Sequence, residues 1–346
     1  MGLMKAARLH KVGEDLRLDL VEVPAVGPNE VLVKIHASGI CHSDINYRDG
    51  VGKVGRLPIT LGHEIAGVVT EKGERVREIG IGDRVVIHYV MSCGQCRYCK
   101  SDRETYCEKY QMIGKDLDGG FAEYVKVPAS NALRLPETIA FDHAAIMGCA
   151  VSTAFHALRR GRARREDTIA IYGAGGLGVH AVQLSSRIIE ASNIIAVDVV
   201  DEKLRHAKRF GARDVVNPNQ EDVVERIREI TDGLGADVVI DFVGRKRTVE
   251  NALACAGKGG RVVLVGISLD ELHISPYLTI IGKEIELVGV NDHSKLELRQ
   301  LIEFASSGRI DLSTSVTNKV RLEDVNNGIQ ILEGNIGNPL RVVVAQ

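Results

Sequence analysis

Up to about residue 150 the apolar positions come in short alternating runs. Segments such as Glu30-Val-Leu-Val-Lys-Ile-His36 and Ala66-Gly-Val-Val-Thr-Glu71 are punctuated by Gly and Pro. A period of two buries one face of a strand and the punctuation marks turns, so this part predicts an antiparallel, loop-rich β domain. Beyond residue 150 the pattern changes. Apolar runs at 168–172, 193–198, 213–216, 237–241, 260–265 and 284–290 are separated mostly by helical patterns at 176–190, 201–209, 220–231 and 246–256. Six strands in βαβ order predict a doubly wound parallel sheet, which makes the fold class α/β. After residue 290 a helical stretch, Lys295–Ser306, precedes a polar segment and the strand Arg341-Val-Val-Val344. That tail is expected to return to the first domain. The expected division is a first domain over 1–150 completed by 294–346, and a second over 151–293.

Composition narrows the function classes. With 44 Lys+Arg against 46 Asp+Glu the net charge is −2, and no basic excess advertises a nucleic-acid or membrane-surface partner. Apolar runs are of strand length, and the N-terminal residues hold no apolar core of signal-peptide length, so a cytoplasmic, soluble protein is expected. Seven cysteines in 346 residues do not resemble the disulfide framework of a small secreted domain. Metal ligation in a reducing compartment fits them better.

Four of the seven are close together. Cys93, Cys96, Cys99 and Cys107 form a C-x2-C-x2-C-x7-C run, a spacing that can wrap one tetrahedral Zn2+ in four thiolates. Such a site is closed and would hold a loop in shape while chemistry happens elsewhere. A zinc ribbon on nucleic acid would need basic surface that this chain lacks. A redox thiol pair is the other reading, and a zinc-clamped lobe accounts better for all four sulfurs.

The first βα turn of the second domain reads Thr168-Ile-Ala-Ile-Tyr-Gly173-Ala-Gly175-Gly176-Leu177-Gly178. A G-x-G-x-x-G run between a strand and a helix is a dinucleotide fingerprint. Gly173 permits the turn, Gly175 lets the backbone approach a pyrophosphate, and Gly178 allows close packing of helix on strand. Asp198 ends the next strand twenty residues later, where a carboxylate accepts from adenosine ribose hydroxyls and repels a 2′-phosphate. NAD is therefore expected over NADP.

Several separated motifs resemble the zinc-containing medium-chain alcohol dehydrogenase family over nearly the whole chain. Gly62-His63-Glu64-Ile-Ala-Gly67, with Gly73 and Val76 following, is similar to the family's zinc signature. Gly39-Ile-Cys41-His42-Ser43-Asp44 resembles the segment of its first metal ligand, Gly148-Cys149-Ala-Val-Ser-Thr153 that of its third, and Gly119-Gly-Phe-Ala-Glu-Tyr124 a further family stretch. The resemblance implies a GroES-like catalytic domain, a Rossmann coenzyme domain, and two Zn2+ per chain. Cys41, His63 and Cys149 would hold the catalytic zinc with one position open. It further implies that Ser43 takes the alcohol proton into a relay through the cofactor ribose, that Asp44 fixes the tautomer of His63, and that Glu64 lies beside the metal. Lys203 is expected near the adenosine ribose, Thr153 against the nicotinamide, His42 and Arg341 near the pyrophosphate, and Gly173, Gly175, Gly176, Leu177 and Gly178 around the phosphates.

Tyr89 falls where the family has a substrate-pocket aromatic; the plainer reading is a half-buried strand tyrosine. One position departs from the family. Where a histidine often ends the proton relay this chain has Asn46, an amide that cannot accept a proton at neutral pH. His88, His143, His156, His180, His206, His273 and His293 match no motif and are read as structural or solvent-facing, and Cys255 as a small core residue. The function expected is interconversion of an alcohol with an aldehyde or ketone by hydride transfer with NAD, in a homodimer or homotetramer. The alternatives are a reductase of enones, quinones or enoyl thioesters on the same fold, and a catalytically silent NAD-binding protein.

Overall fold

The alternating N-terminal segments fold as strands around one long central strand in a computed structural model that describes residues 2–346. The chain separates into two units, Met1–Ser152 with Asp292–Gln346, and Thr153–Asn291.

The first unit opens with β1 (Leu3–Leu9), β2 (Arg17–Glu22), β3 (Glu30–Ile40), α1 (His42–Arg48), β4 (Ile59–Thr60), β5 (Glu64–Lys72) and β6 (Arg84–Ile87). It continues through β7 (Val90–Met91), β8 (Gln111–Met112), β9 (Tyr124–Pro128), β10 (Ala132–Arg134) and α2 (Phe141–Ile146). Helix α3 (Ser152–Arg160) begins where the two units meet in sequence. The bulges of β3 against β5, between Leu32 and Val33 and between Ile35 and Ala37, bend the pair as it approaches Cys41 and His63. Val31, Val33, Ile35, Ile65, Val85 and Ile87 form the centre of this unit's core.

The second unit is the alternating half. It runs β11 (Thr168–Tyr172), α4 (Gly178–Leu184), β12 (Asn193–Val197), α5 (Asp201–Phe210), β13 (Asp214–Val216), α6 (Val223–Ile230), β14 (Ala236–Asp241), α7 (Lys246–Cys255), β15 (Ala256–Leu264) and β16 (Glu286–Gly289). All pairings are parallel in the order β13-β12-β11-β14-β15-β16. Strand order reverses at β11 and β14, so the glycine turn after β11 lies at the topological switch point, where such sheets bind ligands. Between β15 and β16 the helical pieces are a π turn (Pro276–Ile280), with Pro276 at its start where its missing N–H costs no bond, and a 3-10 turn (Ile281–Lys283).

The C-terminal tail supplies α8 (Lys295–Ser306), β17 (Val316–Val320), α9 (Val325–Glu333) and β18 (Arg341–Ala345). Strand β18 pairs antiparallel with β3, Val342 opposite Ile40, which gives the first unit a sheet in the order β10-β6-β5-β3-β18-β17 with β9 also on β3. Among the described residues no helix is long and apolar enough to cross a membrane.

Candidate active site and metal centres

Cys41 follows the last residue of β3, His63 directly precedes β5 and Glu64 opens it, and Cys149 lies in a π-helical turn (Met147–Val151) between α2 and α3. Turns of that kind recur where a helix must present a functional side chain. One ligand atom from each of Cys41, His63, Glu64 and Cys149 lies within 4.8 Å of the others, and all four side chains are buried. The donor set fits a metal. His63 Nδ1 is 3.0 Å from Asp44 Oδ1, while its buried Nε2 has no hydrogen-bond partner. An imidazole held through one nitrogen with the other bare is the arrangement of a metal-ligating histidine. The hydrogen bond from Cys149 pushes the Cys41 thiol well down, and the same contact pushes Cys149 up, so one proton is shared between sulfurs that would both be thiolates on a metal.

Asp44 joins two ligand segments. Its Oδ2 accepts from the Cys41 N–H at 2.9 Å, and its Oδ1 accepts from the Gly62 N–H at 3.2 Å besides meeting His63. Ser43, on α1, is half-buried with Oγ 3.7 Å from Cys41 Sγ, and Asn46 is half-buried one turn further on. His42 is exposed at the start of α1.

Glu64 reaches the cluster because residue 39 is glycine: a Cβ there would stand 1.9 Å from Glu64 Oε2. Burial pushes the Glu64 carboxyl up to about 7, against the pull of the Arg341 guanidinium, which donates to Oε2. The other oxygen, Oε1, has no partner. Arg341, expected near a pyrophosphate, is thus 2% exposed and paired with Glu64. Nothing in the sequence signals this pair; only the β18–β3 register creates it.

Cys93, Cys96, Cys99 and Cys107 also lie within 4.8 Å of one another. The sulfur separations of 3.8 Å for Cys93 to Cys99 and 3.5 Å for Cys96 to Cys99 are close to the edge of about 3.8 Å of a tetrahedron with metal–sulfur bonds of about 2.3 Å. Backbone N–H groups of Gln95 and Cys96 donate to Cys93 Sγ, both at 3.4 Å, and push its thiol down to about 6. The loop therefore favours thiolates at Cys93 and Cys96, while burial pushes the Cys99 thiol up to about 11. Its base is tied down by Glu104, whose Oε1 accepts from the Lys295 N–H at the start of α8.

In the second unit Gly173 has φ +86°, in the left-handed region, and a Cβ on Gly178 would fall 1.7 Å from the Gly173 carbonyl oxygen. A Cβ on Gly175 would meet nothing within 4 Å, which leaves an open cradle of backbone. Asp198 is fixed by donors on both oxygens, Ala174 N–H at 2.8 Å and Val200 N–H at 2.9 Å. Each oxygen keeps a lone pair for a ribose hydroxyl. Gly176 and Leu177 complete the turn, Lys203 is half-buried on α5, and Thr153 is buried on α3.

One side chain differs from its sequence reading. Tyr89 is fully rather than half-buried: its hydroxyl donates to Asp292 Oδ1 at 3.0 Å and lies 3.9 Å from Cys149 Sγ. His88 and His293 are both buried, His88 Nε2 standing 3.1 Å from the His293 carbonyl oxygen, so neither faces solvent. Asp292 and Tyr110 carried no motif and were not singled out by sequence.

Residues 27–137 match the family profile described as the alcohol dehydrogenase GroES-like domain, and residues 176–307 that described as zinc-binding dehydrogenase. An alcohol dehydrogenase of Geobacillus stearothermophilus is 36% identical over 343 residues, 99% of each chain. An NAD-dependent alcohol dehydrogenase of Sulfurisphaera tokodaii is 34% identical over 340 residues, 95% of this chain and 96% of its own. Among solved structures, a protein of Sinorhizobium meliloti described as a zinc-binding dehydrogenase and bound to NADP superposes with a TM-score of 0.92 at 31% identity over 100% of both chains.

Proposed function

Since this chain belongs to the zinc-containing medium-chain dehydrogenase family, we propose that it interconverts an alcohol with an aldehyde or ketone, with NAD as hydride acceptor and donor. The observation that carries the reading is the convergence of Cys41 and Cys149 with the partnerless Nε2 of His63. Held by these three, Zn2+ would supply a Lewis acid for the substrate oxygen, and NAD would supply the hydride acceptor. The chain's own residues do the rest. Ser43 Oγ takes the alcohol proton, and because Asn46 cannot receive it the relay ends at His42, the cofactor ribose or water. Asp44 holds His63 in the tautomer that leaves Nε2 bare, and Arg341 holds Glu64 beside the metal without neutralising its second oxygen. Cys93, Cys96, Cys99 and Cys107 hold a second, structural Zn2+.

Gly173, Gly175, Gly176, Leu177 and Gly178 cradle the pyrophosphate, and Asp198 with Lys203 reads the ribose. The carboxylate favours NAD over NADP, although a similar structure binds NADP. Thr153 and His42 complete the cofactor contacts. Seven free thiols support a reducing, cytoplasmic setting. A second copy of the chain is the expected partner: β16 ends its sheet, and Tyr277, Leu278, Ile281 and Leu287 beside it are exposed.

The test is metal analysis of the purified protein together with oxidation of primary and secondary alcohols, diols and reduction of enones, before and after chelation. We expect two zinc ions per chain and NAD-dependent alcohol oxidation that chelation abolishes. At most one zinc in fully loaded protein, or enone reduction that survives chelation, would overturn the reading.

A further inference from the structure

Within the second unit a cavity of about 340 Å³ lies where α6 and α7 meet the irregular segment that joins β15 to β16. Leu253 of α7, with Leu272 and Ile274 of the joining segment, gives it an apolar wall that continues this unit's core. Arg228 of α6 and Lys283 line the same space, and the reading above gives neither a task. Lys283 is anchored. Its Nζ donates to the carbonyl oxygens of Ala254 at 3.1 Å and Ala256 at 2.9 Å, where α7 ends, which leaves one ammonium proton uncommitted. Burial, then the Arg228 charge, holds Lys283 below the ordinary lysine value, so the two cations feel each other.

Neither cation has a counter-ion. Among the described residues the Arg228 guanidinium makes no hydrogen bond or ion pair, and the one carboxylate on the lining, Glu250, pairs with Lys246 at 4.0 Å instead. Like charges held beside an apolar wall suit a ligand that is negative at one end and apolar along its length. We propose that this cavity binds a short- to medium-chain aliphatic carboxylate, with its head on Arg228 and Lys283 and its chain along Leu253, Leu272 and Ile274. The planar guanidinium can hold both carboxylate oxygens side by side, and the free Lys283 proton adds a further charge-assisted bond. A sugar phosphate would meet the same cations but press its hydroxyls on the apolar wall. The volume is at the small end of the usual range for ligand pockets, about 300–1,000 Å³, so it suits hexanoate better than a long-chain fatty acid. Once bound, the carboxylate ties residues 272–283 to α6 and α7.

The experiment titrates hexanoate calorimetrically into zinc-loaded wild type and Arg228→Gln. Acetate, which lacks the chain, and hexylammonium, which reverses the charge of the head, serve as comparisons. Amide hydrogen exchange is followed by mass spectrometry with and without hexanoate. Arg228 is exposed on α6, so the variant keeps the fold. Wild type should bind hexanoate at least about tenfold more tightly than acetate and should not take up hexylammonium. Arg228→Gln should weaken hexanoate by about tenfold or more, and hexanoate should slow exchange over residues 272–283 in wild type only. Hexanoate held at the catalytic metal would bind both proteins alike, so the difference between them reads the cavity. Equal affinity in the two proteins, no saturable binding, hexylammonium bound as tightly as hexanoate, or unchanged exchange over 272–283 each overturns the proposal.

Discussion

The two cysteine clusters each bring four ligand atoms within 4.8 Å of one another and are built by opposite means. Cys93, Cys96, Cys99 and Cys107 come from one fifteen-residue loop, are mostly half-exposed, and take hydrogen bonds from the N–H groups of the same loop. Cys41, His63, Glu64 and Cys149 come from the end of β3, the start of β5 and a π turn, and all are buried. Their charges are set from still further away, by Asp44 and by Arg341 on β18. A local loop can close on an ion with its own backbone and gains shape from it. A distributed cluster requires the fold first, and in return its electrostatics can be tuned. Removing a ligand should therefore damage shape in one place and chemistry in the other.

The largest effect is expected at the buried cluster. Cys149→Ser should lose one of two zinc ions and lower kcat/KM by more than the roughly 10–100-fold that attaches to an outer partner of a ligand, with little change in Tm. Metal content and kinetics on one preparation check it, and retention of both ions with normal kinetics would remove Cys149 from the site. Asp44→Asn comes next, at about 10–100-fold in zinc affinity or activity, because the amide can no longer accept from His63 and from both backbone N–H groups as a carboxylate does. The contrast is sharpest against Cys93→Ser. That variant should lose the other zinc and fall in Tm, while kcat/KM of the folded fraction stays within about threefold of wild type. A larger kinetic loss at unchanged Tm would break the separation of the two clusters.

What could be read from the chain follows the same division. The exposed cluster was legible as a spacing because its ligands and its backbone donors are neighbours in sequence. Strands β11 to β16 were legible as apolar runs, and α8 at its observed bounds, since Ser294 and Glu297 cap it and its apolar positions keep one period. The glycine turn was legible because Gly178 has a purely local reason, the Gly173 carbonyl against it. The buried cluster was visible only through resemblance. No local pattern marks the π turn that presents Cys149, the register that lays Arg341 on Glu64, or the left-handed Asp292 that receives Tyr89 and Tyr110. Each depends on segments far apart in sequence, and the polar residues involved look like ordinary surface until the fold buries them.

The smallest effect concerns what lies behind the buried cluster and tests whether its support depends on staying uncharged. His88 is fully buried against Tyr89, with ring centroids 6.2 Å apart, and against His293, at 5.0 Å. Its Nε2–H donates to the His293 carbonyl at 3.1 Å, and its Nδ1 has no partner. Burial pushes its pKa down to about 4; Lys295 pushes the same way, while Glu104 and the backbone carbonyls oppose them. In the unfolded chain the ring titrates near its ordinary value of about 6.5. Between those values the unfolded state binds a proton that the folded state refuses, so stability contributed above about pH 6.5 is lost as pH falls toward 4 and changes no further below it. The amount is on the order of 3 kcal/mol. His88→Phe keeps a buried ring against Tyr89 and cannot titrate. It should cost about 1 kcal/mol at pH 7 for the lost hydrogen bond, yet fall less steeply than wild type between pH 6.5 and 4. Urea unfolding of both proteins across that range reads the difference directly and cancels the contribution of zinc loss, which is common to the two. Parallel curves would mean that the His88 ring takes up its proton in the folded state as readily as in the unfolded one, and that the interior behind Cys149 is wetter than its burial implies.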